Sequence, residues 1–428
     1  MKMLLLSPYP PYPPRSGGAL RIYNLLVGLA RYHEIWLLTF APDAAAAAAL
    51  APLRDHCHLH TVPGPPPRSL LRRAWTTLFS PLPDMALRNA ASAYTAALRH
   101  LLHTYDIDIV QAESIEMARY GQDARLVGEQ RGKRSPRLVL DEFNAEYVLQ
   151  RRAALNDLAA IRQGISHVGP WLRDPRRARL VLAAPYSLVQ WYRLAAYETW
   201  LLKTYQHVIA VSEEDRTALQ RLVPQARVSV VPNGVDTRYF SREAGRDASN
   251  APSRGKTLVF TGTLDFRPNV DAVTWFAQEV LPLIRVRHPE ARFVVVGRRP
   301  APAVQALHDG DTIDVVGEVA DVRPAIAGAA VYVVPMRIGG GIRLKLLEAL
   351  AMEAPVVCTT MGAEGVGGLR DGTHVLLADT PHQFAAATVR VLDNPALAAQ
   401  MGTAGRRFVG QYYDWSVIVP LLEAVYVG

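Results

Sequence analysis

The sequence predicts an α/β protein of two doubly wound, Rossmann-like domains facing across a cleft. Three observations carry that expectation. The chain has 428 residues, more than one ordinary hydrophobic core organises. Short apolar runs alternate with helical segments through both halves, the pattern of parallel sheets covered by helices on both faces. Finally, the segment Met336 to Val357 leads from an apolar run (Ala330 to Val334, then Pro335) through Gly339, Gly340 and Gly341 into an amphipathic helix. A strand, a glycine turn and a helix in that order form the local context of a phosphate site in doubly wound folds.

The elements follow in order. Met3 to Leu6 reads as the first strand. A proline-rich loop from Pro8 to Ser16 follows, and Gly17 and Gly18 open a helix that runs to Ala30. Strands are expected at 35–40, 59–62, 107–111, 138–140 and 208–211, with an alanine-rich helix after the second strand of the chain. In the second half they are expected at 257–260, 292–296, 313–316, 331–334, 356–359 and 374–377. The polar stretch 241–256 lacks apolar periodicity and marks the boundary. The domains are therefore expected at 1–240 and 241–410, with a helix over 411–428 that crosses back to the first. Two segments interrupt the first domain. Residues 63–83 hold Arg68, Leu70, Leu71, Arg72, Arg73, Trp75 and Phe79 between proline clusters, a short basic helix suited to a membrane interface or to packing on its own domain. Residues 151–203 form a long helical stretch carrying Arg173, Arg176, Arg177 and Arg179, with Pro185 and Arg193 breaking its apolar part.

Half of the residues are hydrophobic and a fifth are charged, which describes a globular chain rather than a disordered one. The net charge of +8 lies wholly in the first half: residues 1–240 hold 29 Lys and Arg against 20 Asp and Glu. A basic surface of that kind suits anionic lipid head groups or a phosphate-bearing acceptor. No basic–aromatic repeat or nucleic-acid motif accompanies it, so nucleic acid is not an expected partner. Cys57 and Cys358 are the only cysteines and lack metal-ligand spacing, which fits a reducing compartment. The apolar N-terminal run stops at Pro8 with no cleavage signal, and no run reaches transmembrane length. The expected location is cytoplasmic, peripheral at the inner membrane face.

The chemistry centres on the glycine run. Glycines let backbone N–H groups approach a ligand, and a helix N-terminus concentrates positive charge there. Arg337, Arg343 and Lys345 add full charges, and Glu348 is placed to accept hydrogen bonds from sugar hydroxyls. The set suits a nucleoside diphosphate. Asp106 and Asp108 form a D-x-D pattern better read as polar residues entering a buried strand. Glu113 and Glu116 follow that strand and point to the cleft end. His33, His56, His58 and His60 lack an ordered ligand spacing and read as surface residues, so no metal site is expected. Asn233-Gly234 reads as a tight turn.

Five segments converge: Pro8 to Gly18; V-V-P-N-G-V-D from Val230; F-T-G-T-L-D-F-R-P-N-V-D-A-V from Phe260; F-V-V-V-G-R from Phe293; and the glycine run with Glu348. In this order and spacing they resemble the GT-B glycosyltransferases of family 4, the retaining group 1 type, over nearly the whole chain. The resemblance implies transfer of a sugar, with retained configuration, from a UDP- or GDP-sugar to a glycan or lipid-linked acceptor in polysaccharide or glycolipid assembly. It implies no cofactor and no metal. It assigns the first domain to the acceptor and the second to the donor, with Gly297, Arg298, Arg337, Gly339, Gly340, Gly341, Ile342, Glu348 and Glu364 around the donor. Arg267, Arg343, Lys345 and Glu348 then carry catalysis, and Gly17, Gly18, Glu113 and Asn144 line the acceptor side. Glu348 takes the second acid position of the family's E-x7-E motif, whereas the first falls at Gly340. The basic pair that relatives carry after the first donor-domain strand falls at Thr263 and Asn269. The histidine of a D-E-H-N segment is Phe143 in D-E-F-N. These departures support an alternative expectation, a catalytically impaired nucleotide-sugar scaffold or sensor of the same fold.

Overall fold

A computed structural model describes residues 1–65, 67–130, 135–165, 175–247 and 255–427. Arg173 and residues 248–254 of the expected boundary fall outside this set. The side chains of Leu70, Arg72, Arg73, Arg176, Arg177 and Arg179 also lie outside the described residues. The chain divides into two compact units, Met1–Val231 with Leu422–Gly428, and Pro232–Leu421.

The first unit holds seven strands: β1 Lys2–Ser7, β2 Glu34–Ala41, β3 His58–Pro63, β4 Ile109–Glu113, β5 Arg137–Glu142, β6 His207–Ala210 and β7 Val228–Val230. All pair in parallel, in the order β3-β2-β1-β4-β5-β6-β7. Met3 pairs with Ile35 on one side and Ile109 on the other. β1 is apolar on consecutive positions because helices cover both of its faces; Met3 to Leu6 are all buried.

The second unit repeats the design with β8 Thr257–Thr261, β9 Arg292–Val296, β10 Ile313–Gly317, β11 Val331–Val334, β12 Val356–Cys358 and β13 Leu376–Leu377. Its order is β10-β9-β8-β11-β12-β13, again parallel throughout. Phe260, Phe276, Phe293 and Phe384 are fully buried in its core, each ring contributing roughly 1.5–3 kcal/mol by leaving water. Strand order reverses between β1 and β4 in one unit and between β8 and β11 in the other. In sheets of this kind the crevice beyond the strand ends at such a reversal receives ligands.

Several boundaries differ from expectation. β4 begins two residues later than the apolar run, because Asp108 is spent accepting the Lys2 amide at 2.8 Å. β7 was not anticipated, since three residues carry too little alternation to recognise. β13 is shortened by the turn at Gly372 (φ 72°), in which the Asp371 carboxylate accepts the Leu377 amide at 2.9 Å. The final helix is broken. Pro395–Tyr412 and Trp415–Val427 are separate, and Asp414 between them accepts from the Ser416 amide (2.8 Å) and the Thr237 hydroxyl (2.6 Å). Asn233 and Gly234 lie in irregular chain rather than in a turn. Gly234 is needed there because a Cβ would lie 2.7 Å from the Trp415 indole. The last residues close on the first unit, where the Tyr426 hydroxyl donates to Gln111 at 2.5 Å and Arg137 donates to the Val425 and Tyr426 carbonyls. His33 meets Glu423 at 2.6 Å and His58 meets Glu34 at 3.2 Å. No helix among the described residues is long and apolar enough to cross a membrane.

Candidate functional site

In the second unit the loops after β8, β9 and β11 converge at the reversal point. Gly297 follows β9 and lies directly against the loop after β8: a Cβ on it would fall 1.6 Å from the Gly262 carbonyl oxygen. Only glycine permits that approach. After β11 the chain runs through Gly339 (φ 126°) and Gly341 (φ 70°) into the helix Leu344–Ala351. No side chain caps this helix at its N-terminus, which leaves first-turn N–H groups for a ligand. Thr359, Thr380 and Asn394 do cap other helices of the same unit.

Two titratable groups stand on that helix, one turn apart. The Lys345 ammonium lies over the Phe260 ring at 3.8 Å and donates to Asn269 Oδ1 at 2.9 Å. Asn269 in turn donates from Nδ2 to the Thr263 carbonyl at 2.8 Å. Burial, and then the Arg343 charge, pulls Lys345 down to about 7. Glu348 is pushed up to about 7 by burial, against the opposing pull of Lys345. Both side chains keep a partly exposed edge. Beneath them the Tyr332 and Thr261 hydroxyls bond at 2.6 Å, tying β11 to β8 at the reversal.

The other expected donor residues distribute unevenly. The Arg343 guanidinium folds back over Gly339 and donates to the Gly340 carbonyl. Ile342 is buried, and Gly365, next to Glu364, packs on the backbone of Gly341 and Ile342. The glycine run and Glu364 are therefore neighbours. Arg298 reaches the Thr263 hydroxyl at 3.5 Å, and its carbonyl accepts from Leu264. Arg337 is engaged elsewhere: it forms a two-point pair with Asp271 (2.7 and 3.0 Å) and lies over Trp275. Arg267 opens the helix Arg267–Trp275 as an exposed residue.

The first unit gathers carboxylates at the ends of β4 and β5 and on the helix Pro175–Thr204. Arg21, from the helix Gly17–Leu29, forms a buried two-point pair with Asp141 at 2.7 and 2.8 Å. Glu113 is buried beside them, accepts from Gln111 at 2.8 Å, and is raised to about 8 by burial and the Asp141 charge. Glu116 takes hydrogen bonds from Arg88 (2.7 Å) and Asn89 (2.8 Å). Asn144 reaches Glu146 at 3.5 Å, and burial raises Glu146 to about 7. Behind it, Glu142 and Glu198 meet as a buried carboxyl pair. Burial lifts both, Glu198 to about 8, and the neighbouring carboxylate lifts Glu142 further. Gly17 and Gly18 start the first helix, and Gly18 is the seat of two rings. A Cβ there would fall 1.9 Å from the Tyr9 hydroxyl and 3.0 Å from Phe143.

Sequence reading missed the contributions of Asn269, Tyr9, Arg21 and Glu198. Asn269 stood out only as a departure from a motif, and Arg21 only as a cation inside an apolar helix face. Among the described residues no group of three His, Cys, Asp or Glu side chains is arranged to hold a metal ion.

The two doubly wound units, each with a parallel sheet and a reversal point, define an α/β protein of the GT-B class. Residues 255–394 match the family model described as glycosyl transferases group 1, and residues 161–239 match glycosyltransferase family 4. The chain belongs to the family 4, group 1 glycosyltransferases. It is 30% identical over 257 residues to the D-inositol 3-phosphate glycosyltransferase of Kineococcus radiotolerans, covering 54% of this chain and 58% of that protein. The chain spans about half the length of the curated relatives it matches. Among solved structures, the sucrose-phosphate synthase of Thermosynechococcus elongatus superposes with a TM-score of 0.68 at 16% identity, over 100% of this chain and 98% of that one. HepE of Anabaena in complex with UDP-glucose superposes with a TM-score of 0.62 at 13% identity, over the whole of both chains. At such identities the likeness is one of fold.

Proposed function

We propose that the chain is a retaining glycosyltransferase that moves a sugar from a nucleoside-diphosphate sugar to a glycan or lipid-linked acceptor. The second unit takes the donor, and the observation that carries this is the uncapped helix Leu344–Ala351 at the β8/β11 reversal, with Lys345 and Glu348 on its first two turns. As the glycosidic bond breaks, negative charge grows on the leaving diphosphate. Fixed N–H dipoles, the Lys345 ammonium and the Arg343 guanidinium oppose that charge without reorganising, which is the main catalytic means in such a site. Glu348 then accepts hydrogen bonds from ribose hydroxyls. Cations supplied by the chain itself support a mechanism with no metal and no cofactor. HepE, whose structure holds UDP-glucose, and relatives named for inositol phosphate, phosphatidylinositol or GDP-mannose support a UDP- or GDP-sugar and a phosphate-bearing or lipid acceptor. Assembly of a surface polysaccharide or glycolipid at the cytoplasmic face of a membrane is the setting we infer.

The acceptor side is assigned to Glu116, Asn144 and Glu146. Phe143 packs on Gly18 beside the Tyr9 hydroxyl and supplies no group that takes a proton, so the leaving phosphate is the base that receives the acceptor proton. The same observation favours a second reading, a nucleotide-sugar scaffold without turnover.

Calorimetric titration of UDP-, GDP- and ADP-sugars into wild type and Glu348→Ala tests the donor site. Binding of one donor, weakened about tenfold or more in the variant, supports it; no binding of any donor to folded protein removes it. Release of free nucleotide in the presence of lipid-linked acceptors then separates the transferase from the scaffold.

A further inference from the structure

The helix Leu70–Phe79 of the first unit carries an uncovered apolar face. Leu71, Trp75, Leu78 and Phe79 recur at steps of four, three and one, which sets them on one side of the helix. They are 84, 65, 71 and 64% exposed. The Trp75 and Phe79 ring centroids lie 4.2 Å apart, so the aromatic part of the face is continuous. The helix does not float free. Arg193 donates to the Thr76 carbonyl at 3.4 Å, and Arg68, just before the helix, pairs with Asp84 at 2.7 Å. The unit thus holds the helix from elsewhere and presents four large apolar side chains outward, an arrangement that a protein surrounded only by water rarely keeps.

The charge around this face narrows what covers it. No acidic residue occurs between Pro63 and Pro83; Arg68 is neutralised by Asp84, but the sequence of the helix adds Arg72 and Arg73, and residues 1–240 hold 29 basic against 20 acidic side chains. An apolar partner surface without negative charge supplies no reason for that bias. An anionic bilayer supplies both halves of the match: an apolar boundary for leucine and aromatic rings, and a negative surface for arginines. Tryptophan, with an apolar body and a polar N–H, favours that boundary.

We infer that this helix lies in the interface of an anionic lipid bilayer, with Leu71, Trp75, Leu78 and Phe79 inserted at the boundary between head groups and acyl chains. The inference rests on the first unit alone and is independent of the transferase reading. The test is co-sedimentation of the full chain with vesicles of phosphatidylglycerol and phosphatidylcholine, and with phosphatidylcholine alone, at low and high salt. Trp75→Asp/Phe79→Asp is the variant, its thermal melt serving as the control for folding. Binding to the anionic vesicles, roughly tenfold weaker in the variant and reduced by salt, is the expected result. Wild type that stays in the supernatant, or a variant that binds as wild type does, overturns the proposal. Wild type that fails to bind lipid but sediments as a dimer, with the variant a monomer, overturns it in favour of an interface between copies. No sugar nucleotide enters the assay, so its failure leaves the donor-site reading untouched.

Discussion

The Lys345 ammonium donates to the Asn269 carboxamide oxygen at 2.9 Å, joining two segments separated by 76 positions in the chain. Resemblance places a lysine where Asn269 stands. In this chain the cation arrives from the helix after the glycine run, and Asn269 holds it in place. The lysine is thus supplied by a different segment from the one the resemblance implies.

Lys345→Ala is therefore expected to weaken nucleoside-diphosphate binding by about 1.5–3 kcal/mol, the range for hydrogen bonds to charged groups. Asn269→Ala is expected to weaken it by about half that, through loss of positioning. The double variant should bind no worse than Lys345→Ala alone, because Asn269 acts through the lysine. Additive losses by calorimetry would show that Asn269 contributes separately.

Binding should also move a proton. Lys345 is pulled down to about 7 in the free protein, so at pH 7.5 much of it is neutral. A diphosphate beside it favours the charged form, raises that value, and draws a proton from the buffer. In a Glu348→Gln background, which removes the second group titrating near 7, the calorimetric enthalpy of UDP or GDP binding should depend on the ionisation enthalpy of the buffer. That dependence should vanish with Lys345→Ala.

Gly297→Ala tests the close approach of two loops. The added methyl would meet the Gly262 carbonyl oxygen at 1.6 Å, and the obstacle is backbone rather than a flexible side chain. A loss of about 3 kcal/mol in urea unfolding is expected, together with weakened donor binding. A loss under about 0.5 kcal/mol, the scatter of neutral surface changes, would mean that the loops separate easily.

The Glu142–Glu198 pair sets a pH dependence of stability. Both carboxyls are raised in the folded state, Glu198 from 4.5 to about 8. Between those two values the folded chain keeps a proton that the unfolded chain has released, so stability falls as pH rises through this window. Glu198→Gln removes the titration and preserves an oxygen for the Tyr147 amide. Its melting temperature should exceed that of wild type at pH 8 and lose the advantage at pH 5. A constant offset at both values would assign the effect to packing instead.

What the sequence reveals and what it hides divides by range of interaction. Twelve of the thirteen described strands were legible because each contains a short apolar run, whereas β7, three residues with a serine at its centre, was not. The glycine run with Lys345 and Glu348 was legible because strand, turn and helix are adjacent in the chain. Arg337 looked like a phosphate ligand from its position alone; its partner Asp271 lies 66 residues earlier and only folding brings them together. Arg21 and Asp141 are 120 residues apart, and nothing local marks either as half of a buried pair. Phe143 was visible as a departure, but its seat on Gly18 beside Tyr9 depends on how three segments meet.

The first unit is built from both ends of the chain. Tyr426, synthesised after the whole of the second unit, supplies the hydroxyl that Gln111 of β4 accepts, and Val425 and Tyr426 supply carbonyls to Arg137 of β5. On the ribosome, residues 1–231 therefore emerge with β4 and β5 paired in the sheet but with the Gln111 and Arg137 side chains lacking these partners. The unit made first is the unit finished last, and a fragment cut at Val231 would leave the buried Gln111 amide and the Arg137 guanidinium without the partners they have in the whole chain.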